Sequence, residues 1–379
     1  MPKAQIGEVV ASLRSDFLNK VGIEYLPCDG RYIPASNYPE LAKIVNITPP
    51  GATWNVNSRS CSAGYGSMGG ADCSSWHQIL KSGEEMLVDG YGRWVSISSD
   101  HFVTYEKYDI QTYNTNYTCC CAVSPITGRI LITYRGSSSG NDTQRIYYSD
   151  DNGRHWSSFE GGVYGSNIDY TTQFLVYDNS GVLYGYIRGY VRYSTNDGAS
   201  WNDLQYISSS YGYRAILADD GNIYMVQDNG STRYKIDTTA KTCASVSITK
   251  PASTIYSLAR VANGRIMCGC TNGWAYSDNY GQTWTYIGNR TYGASYPVYL
   301  GDGVVLYTNN NALYISYDNG TTDSNSYITL SNSVSYGLGG IIDNGIAYVY
   351  TPNYTITSPE TVHLPDMANH HIKVKDAAK

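Results

Sequence analysis

Along most of this chain, short apolar runs alternate with dipeptides that favour a tight turn. Six such dipeptides stand between alternating apolar segments: Thr127-Gly128, Ser180-Gly181, Asp220-Gly221, Asn263-Gly264, Asp302-Gly303 and Asn344-Gly345. Glycine in second place accepts the positive φ that a hairpin needs, so each pair predicts two antiparallel strands and the bend between them. Successive pairs are 53, 40, 43, 39 and 42 residues apart. An earlier bend is expected near Asp89-Gly90 to Gly92, before Trp94-Val95-Ser96-Ile97. A fixed period of this size is the mark of a repeat architecture.

A second pattern, Ser-x-Asp/Asn-x-Gly-x-x-Trp, runs in phase with the first. It occurs at Ser149, Asp151, Gly153 and Trp156; at Ser194, Asn196, Gly198 and Trp201; and at Ser277, Asn279, Gly281 and Trp284. A fourth copy, Ser316, Asp318 and Gly320, lacks the tryptophan. The serines are 45, 83 and 39 residues apart, and the double interval predicts a worn copy at Val226-Gln227-Asp228-Asn229-Gly230. Units of about forty residues holding several short strands fit the blades of a β-propeller, in which ring closure covers faces that no blade buries alone. The count is seven units between about residues 50 and 360, with six or eight also compatible.

The Ser-x-Asp-x-Gly-x-x-Trp element resembles the Asp-box, or bacterial neuraminidase repeat, of sialidases and many other propellers. Its residue types have local reasons: Asp or Asn accepts backbone N–H bonds, Gly makes the bend, and Trp wedges into the blade. The resemblance implies a structural role, away from the ligand-binding face.

The flanks read differently. Ile6 to Leu13 fits a strand or the start of a helix. Cys28-Asp29-Gly30 predicts a tight turn, and from Asn37 a short helix is expected: Asn37 caps it, Pro39 fits its first turn, Glu40 completes a capping box, and Leu41, Ile44 and Val45 share a face. Leu26-Pro27-Cys28-Asp29-Gly30 followed by Ser36, Tyr38 and Leu41 resembles the phage tail collar domain of tail fibres. An apolar-Leu-Pro-Asp segment follows within a few dozen residues in such domains. Here Leu364, Pro365 and Asp366 stand at the opposite end of the chain. The resemblance therefore implies an all-β propeller (residues 49–360) inserted into a small α+β tail-collar-like module (1–48 plus 361–379). Insertion is sterically easy where both ends of a closed body leave together. The collar family's His-x-His iron motifs are missing; adjacent His370 and His371 would point to opposite strand faces.

Composition agrees with an all-β chain. Charged residues are only 15%, and Gly (38) and Tyr (39, against 4 Phe) are abundant. Tyr packs its ring while leaving its hydroxyl wet, which suits half-exposed strands and adaptable binding surfaces. The net charge of −6 comes without a basic cluster, so nucleic acid is not an expected partner. No apolar run reaches the roughly 18 residues of a membrane span, and Glu8, Arg14, Asp16 and Lys20 interrupt the N-terminal apolar positions, so neither membrane insertion nor a signal segment is expected. Synthesis in a host cytoplasm makes the nine cysteines free thiols. Cys119, Cys120 and Cys121 alternate faces on a strand, and Cys268 and Cys270 share one without a second pair at zinc spacing. No cofactor and no metal are implied.

Three functions are compatible. The first is a structural protein of a tailed-phage virion, in the tail or a fibre. There it would contact other virion tail proteins and display the propeller to a host cell-surface glycan; the collar resemblance implies a homo-oligomer, often a trimer. The second is a glycosidase, sialidase-like or other. That chemistry needs three convergent arginines, a Tyr nucleophile with a Glu partner and an acid. Arg135, Arg188, Arg214, Arg260 and Arg290 lie in different units, and Glu84, Glu85, Glu106, Glu160 and Glu360 are sparse. Surface pairing or hydrogen bonding between blades is the simpler use of those arginines. The third is a virion scaffold or decoration protein that meets no host molecule. The binding reading rests on Tyr-rich loops such as Tyr206 to Tyr213 and Tyr286 to Tyr299, against the simpler reading that these tyrosines pack between blades.

Overall fold

The alternating apolar runs become strands because each places one set of side chains toward each neighbouring sheet. In a computed structural model, the strands within residues 9–58 and 362–375 are described. So are residues 77–357 apart from 89–93, 111–117, 135–144, 160–173, 208–211, 288–296, 322–327, 330–338 and some shorter runs. The first strands are β1 (Val9–Ala11), β2 (Glu24–Asp29), β3 (Tyr32–Ile33) and β4 (Asn55–Ser58).

Six four-stranded antiparallel meanders follow. Blade one is β5 (His77–Ile79), β6 (Glu85–Val88), β7 (Trp94–Ser98) and β8 (Glu106–Asp109). Blade two is β9 (Thr118–Val123), β10 (Ile130–Tyr134), β11 (Arg145–Ser149) and β12 (Ser157–Ser158). Blade three is β13 (Leu175–Tyr177), β14 (Leu183–Ile187), β15 (Tyr190–Ser194) and β16 (Asn202–Tyr206). Blade four is β17 (Tyr213–Leu217), β18 (Ile223–Gln227), β19 (Thr232–Asp237) and β20 (Thr242–Ser247). Blade five is β21 (Ile255–Arg260), β22 (Ile266–Cys270), β23 (Gly273–Ser277) and β24 (Thr285–Ile287). Blade six is β25 (Pro297–Gly301), β26 (Val304–Asn309), β27 (Ala312–Ser316) and β28 (Ile328–Thr329).

Blade seven is built from both ends of the chain. β29 (Gly339–Asp343), β30 (Ile346–Tyr350) and β31 (Tyr354–Thr357) are completed on the outside by β4. The first strands of successive blades, β5, β9, β13, β17, β21, β25 and β29, touch in that order. His77 of β5 then packs on Tyr350 of β30, ring centroids 4.9 Å apart, and closes the circle. The fold is a seven-bladed β-propeller.

The remaining strands pair the two ends of the chain again. β32 (Val362–His363) lies against β3, and β33 (Asp366–Lys375) lies between β1 and β2. Val9–Ala11 is thus a strand. Asp29 ends β2 directly opposite Asp366. The helix expected from Asn37 lies outside the described residues, as do Gly30, Leu364 and Pro365.

The apolar core sits between blades. Tyr184, Tyr186 and Val191 of blade three bury against Tyr213, Ile223 and Met225 of blade four. Trp274 of blade five stacks on Tyr307 of blade six at 3.9 Å. Each such side chain contributes roughly 1.5–3 kcal/mol by leaving water. Cys120 and Cys121 enter different clusters, as their alternation requires, whereas Cys268 and Cys270 share one. Cys243, Cys268 and Cys270 are free thiols.

An antiparallel meander puts its first and third turns at one end and its second turn and exit at the other. The propeller therefore has a turn face and a loop face. Thr127-Gly128, Ser180-Gly181 and Asp220-Gly221 are first turns. Two expected bends belong elsewhere. The bend expected at Asp89 to Gly92 falls between β6 and β7 and lies outside the described residues; blade one's first turn is Ser82-Gly83, with φ of 87° at Gly83. Val226 and Gln227 end β18, so the expected worn Asp-box follows a blade's second strand and not its third; Asn229 and Gly230 lie outside the described residues. Its letters match, but it stands one strand too early.

Candidate functional site

On the turn face, the third turn of blades two, three, five and six carries the Ser-x-Asp/Asn pattern, and its geometry explains the residue types. Ser149 ends β11 buried, and its Oγ accepts the N–H of Gly153 at 2.8 Å and of Asp151 at 3.4 Å while donating to Asp151 Oδ1 at 2.8 Å. Asp151 Oδ1 accepts the N–H of His155 at 2.8 Å and of Arg154 at 3.2 Å. Trp156 donates Nε1–H to Gly153 O at 2.8 Å and packs against the blade one–blade two core. In blades three and five the same bonds join Ser194 to Gly198 (2.9 Å) and Ser277 to Gly281 (2.8 Å), with Asn196 and Asn279 in the carboxylate's place. Trp201 and Trp284 likewise wedge between their own blade and the one before. In blade six Ser316 Oγ accepts Gly320 N–H at 3.1 Å, and Asp318 lies outside the described residues. Gly153 has φ of 83°, and a Cβ there would stand 2.9 Å from Ile97 of blade one, so both conformation and close approach demand glycine.

Blade one has a fifth copy that the sequence conceals. Ser98 Oγ accepts Phe102 N–H at 2.9 Å and donates to Asp100 Oδ1 at 2.8 Å, and Asp100 Oδ1 accepts Thr104 N–H at 2.9 Å. Phe102 holds the glycine position at φ of 60°, and Tyr105 the tryptophan position. Blade four alone among the first six replaces the motif. There Asp237 accepts the N–H groups of Thr239 and Ala240, and Lys241 takes positive φ.

The residue before the glycine position takes positive φ in all five copies, and in blades three, five and six it reaches the preceding blade, as does the positive-φ Lys241 of blade four. Asp197 accepts a hydrogen bond from Thr127 at 3.1 Å, and Lys241 donates to Tyr184 OH at 2.5 Å. Tyr280 stacks on Tyr224 at 4.8 Å, and Asn319 O accepts from Arg265 at 3.1 Å. His101 does this at the closing seam. Its Nδ1 contacts Glu85 Oε1 at 2.7 Å, its Nε2 contacts Asp343 Oδ2 of blade seven at 3.1 Å, and its ring stacks on Tyr348 at 3.8 Å. Glu85 is buried and also meets His77 Nε2 at 2.8 Å. Burial pushes the Glu85 carboxyl up, but the bonds from His77, Tyr350 and His101 outweigh that and hold it below the ordinary glutamate value. These are joints between blades. No group of three or more metal-ligating residues with suitable geometry occurs among the described residues.

The described members of the glycosidase candidate set make contacts within and between blades. Arg214 donates to the backbone oxygens of Tyr256 (2.8 Å) and Tyr213 (3.1 Å), and Arg260 pairs with Asp219 at 2.5 Å, so both join blades four and five. Arg135, Arg188 and Arg290 lie outside the described residues, as do Glu160 and Glu360. Glu84 pairs with Arg154 of the next blade at 2.7 Å, and Glu106 takes a hydrogen bond from Tyr108.

The tyrosines divide into two groups. Nine described ones are buried, from Tyr184 and Tyr350 at 0% exposure to Tyr177 at 8%, and serve as packing within the ring. Tyr206 and Tyr286 instead remain 56% and 39% exposed. Tyr206 ends β16 on the loop face, beside Tyr190 with ring centroids 5.0 Å apart at 63°. Arg192 lies over Tyr190 at 5.3 Å and pairs with Asp203 at 2.6 Å.

No known protein family and no curated protein matches this chain. Among solved structures it is similar to virginiamycin B lyase from Staphylococcus aureus, with TM-score 0.61 and 12% identity over 80% of this chain and 99% of that one. It is similar to YCF48 bound to D1 peptide, with TM-score 0.57 and 14% identity over 81% and 95%. It is also similar to the extracellular domain of the hybrid two component system BT3049 from B. thetaiotaomicron, with TM-score 0.55 and 14% identity over 81% and 42%. All three likenesses show the fold alone.

Proposed function

We propose that this chain is a structural protein of a tailed-bacteriophage virion, in the tail or a fibre, whose propeller binds a host-surface glycan. Residues 1–48 and 361–379 then form one collar-like module that meets other virion tail proteins as a homo-oligomer, in keeping with the trimers of collar-type modules. One observation carries the reading: Asp29 of Cys-Asp-Gly and Asp366 of Leu-Pro-Asp stand opposite each other in one sheet. Two half-motifs from opposite chain ends thus meet, as a split module requires. The chain leaves blade seven after Thr357 and returns at Asn55, at the turn face. An anchor there leaves the loop face turned toward whatever the virion approaches.

The test uses purified full chain on intact cells of the host bacterium, together with antibody labelling of particles. The reading expects saturable cell binding without release of reducing sugar, reduced phage adsorption in competition, and label on the tail. Sugar release would favour the glycosidase reading. Labelled tails with no cell binding would favour a scaffold.

A further inference from the structure

The outermost strand of blade three carries a β-bulge whose effect is confined to one group of side chains. Val191 pairs with Gln205 and Arg192 with Asp203, which leaves Leu204 as the extra residue in β16. On a regular strand Asp203 and Gln205 would share a face and Tyr206 would point the other way. The bulge shifts the alternation by one, so Tyr206 comes opposite Tyr190 and on the same face as Asp203. On β15, Tyr190 and Arg192 share that face because they are two residues apart. The result is a contiguous cluster: two tyrosines at an oblique edge-to-face angle, bordered by an ion pair stacked on one of them. Ile207 N–H to Gly189 O, 2.7 Å, pins the strand end that presents it.

Packing does not explain Tyr206. Its neighbours in the same two blades, Tyr184, Tyr186 and Tyr213, are fully buried, whereas its own ring stays more than half exposed at the loop face. A phenol ring braced from one side offers a flat, electron-rich face with few rotamers to freeze. That surface complements the C–H face of a pyranose ring, and the polar border complements its hydroxyls. Arg192 is already paired with Asp203, so the charge within the cluster is balanced and an anionic sugar gains little there.

We propose that Tyr206, braced by Tyr190 and bordered by Arg192 and Asp203, is a saccharide-stacking subsite for an uncharged sugar ring of a bacterial surface polysaccharide. This rests on the receptor-binding reading and names the contact within it.

The experiment compares full-length wild type, Tyr206→Ala, Tyr206→Phe and Val103→Ser on a panel of purified uncharged and acidic bacterial surface polysaccharides and on intact cells. Val103 is 79% exposed on the turn face and serves as the control. The expected result is binding of an uncharged polysaccharide that falls about tenfold or more in Tyr206→Ala and holds in the other two. Equal binding by Tyr206→Ala and wild type overturns the subsite and leaves the receptor reading standing. Binding to acidic polysaccharides alone overturns the ligand class. No binding by wild type to cells or polysaccharides overturns both. If Tyr206→Ala fails to fold, fluorotyrosine-labelled wild type decides: the resonance missing from Tyr206→Phe must shift on adding the polysaccharide, and an unmoved resonance overturns the subsite.

Discussion

Asp29 at the end of β2 lies directly across from Asp366 at the start of β33. The two belong to segments at opposite ends of the chain, and β3 with β32 and β4 with β31 repeat the same long-range pairing. Directly opposed antiparallel residues have Cα atoms about 4.5–5.5 Å apart, within disulfide reach. In a Cys28→Ser background, Asp29→Cys with Asp366→Cys is therefore expected to form an intrachain crosslink on mild oxidation. It should run as a faster monomer band on a non-reducing gel and add about 2–4 kcal/mol of stability. Interchain dimers without a faster monomer would contradict the pairing.

The Asp-box serines are structural by a definite mechanism. Ser149→Ala, Ser194→Ala or Ser277→Ala leaves a buried glycine N–H without its acceptor. Each is expected to cost about 1–3 kcal/mol in urea unfolding. Binding at the opposite face should be unaffected in the protein that stays folded. A loss below about 0.5 kcal/mol at all three sites would mean that water substitutes freely for the hydroxyl.

The repeat was legible because the turn dictates its residue types: Ser, Asp or Asn, and Gly each answer one backbone demand. Legibility fails where packing substitutes for chemistry. Blade one keeps the hydrogen bonds of Ser98 and Asp100 but fills the glycine position with Phe102, which no motif search would accept. Asp228-Asn229-Gly230 shows the converse: turn-forming letters mark a bend without saying which end of the blade holds it. The seam of His77, Glu85, His101 and Asp343 joins residues far apart in sequence, so no spacing betrays it. The Tyr190–Tyr206 pairing depends on one bulged residue, which alternation alone would place on the wrong face.

Phe102 sets two effects against each other. Its left-handed backbone, φ 60°, is unfavourable for a non-glycine residue by roughly 1–2 kcal/mol. Its buried ring meets Tyr350 of blade seven edge-on at 4.9 Å. Deleting a buried phenylalanine ring costs about 3–5 kcal/mol, so packing wins. Phe102→Gly is expected to destabilise by about 2 kcal/mol despite restoring the motif's own residue. Asn152→Gly, at φ 56° with no buried ring, should change stability by less than about 0.5 kcal/mol. Thermal denaturation of both variants checks the contrast.

Asp151 gives the acid response a definite sign. Burial pushes its carboxyl up, but hydrogen bonds from the backbone and ring of His155 and from Ser149 more than compensate, and it falls to about 2. Its folded value lies below the ordinary 3.8, so its contribution is complete above about pH 4 and is lost as pH falls toward about 2. Asp151→Asn keeps an acceptor in place, as Asn196 and Asn279 do when they take N–H bonds at 2.9 Å from Ser200 and Thr283. The stability difference between wild type and Asp151→Asn should therefore shrink as pH falls through this window. Parallel unfolding midpoints from about pH 5 to about pH 2 would show that the carboxylate contributes nothing there.

The two turn-face histidines should differ sharply. His155 is 92% exposed and pairs with Asp151 within its own turn, so His155→Ala is expected to cost no more than about 0.5 kcal/mol. His101 is 22% exposed and ties Glu85 of blade one to Asp343 of blade seven while stacking on Tyr348. Removing it withdraws one donor from a buried carboxylate and takes away the ring that spans the seam. His101→Ala should cost about 1–3 kcal/mol, and the weakening should be local. Hydrogen exchange is expected to rise first in β5, β6, β29 and β30, while β18 and β19 on the far side of the ring stay protected. A ring held chiefly by its outer closing strand would instead lose protection in β4 and β31 first, which would assign the seam's strength to that strand and not to His101.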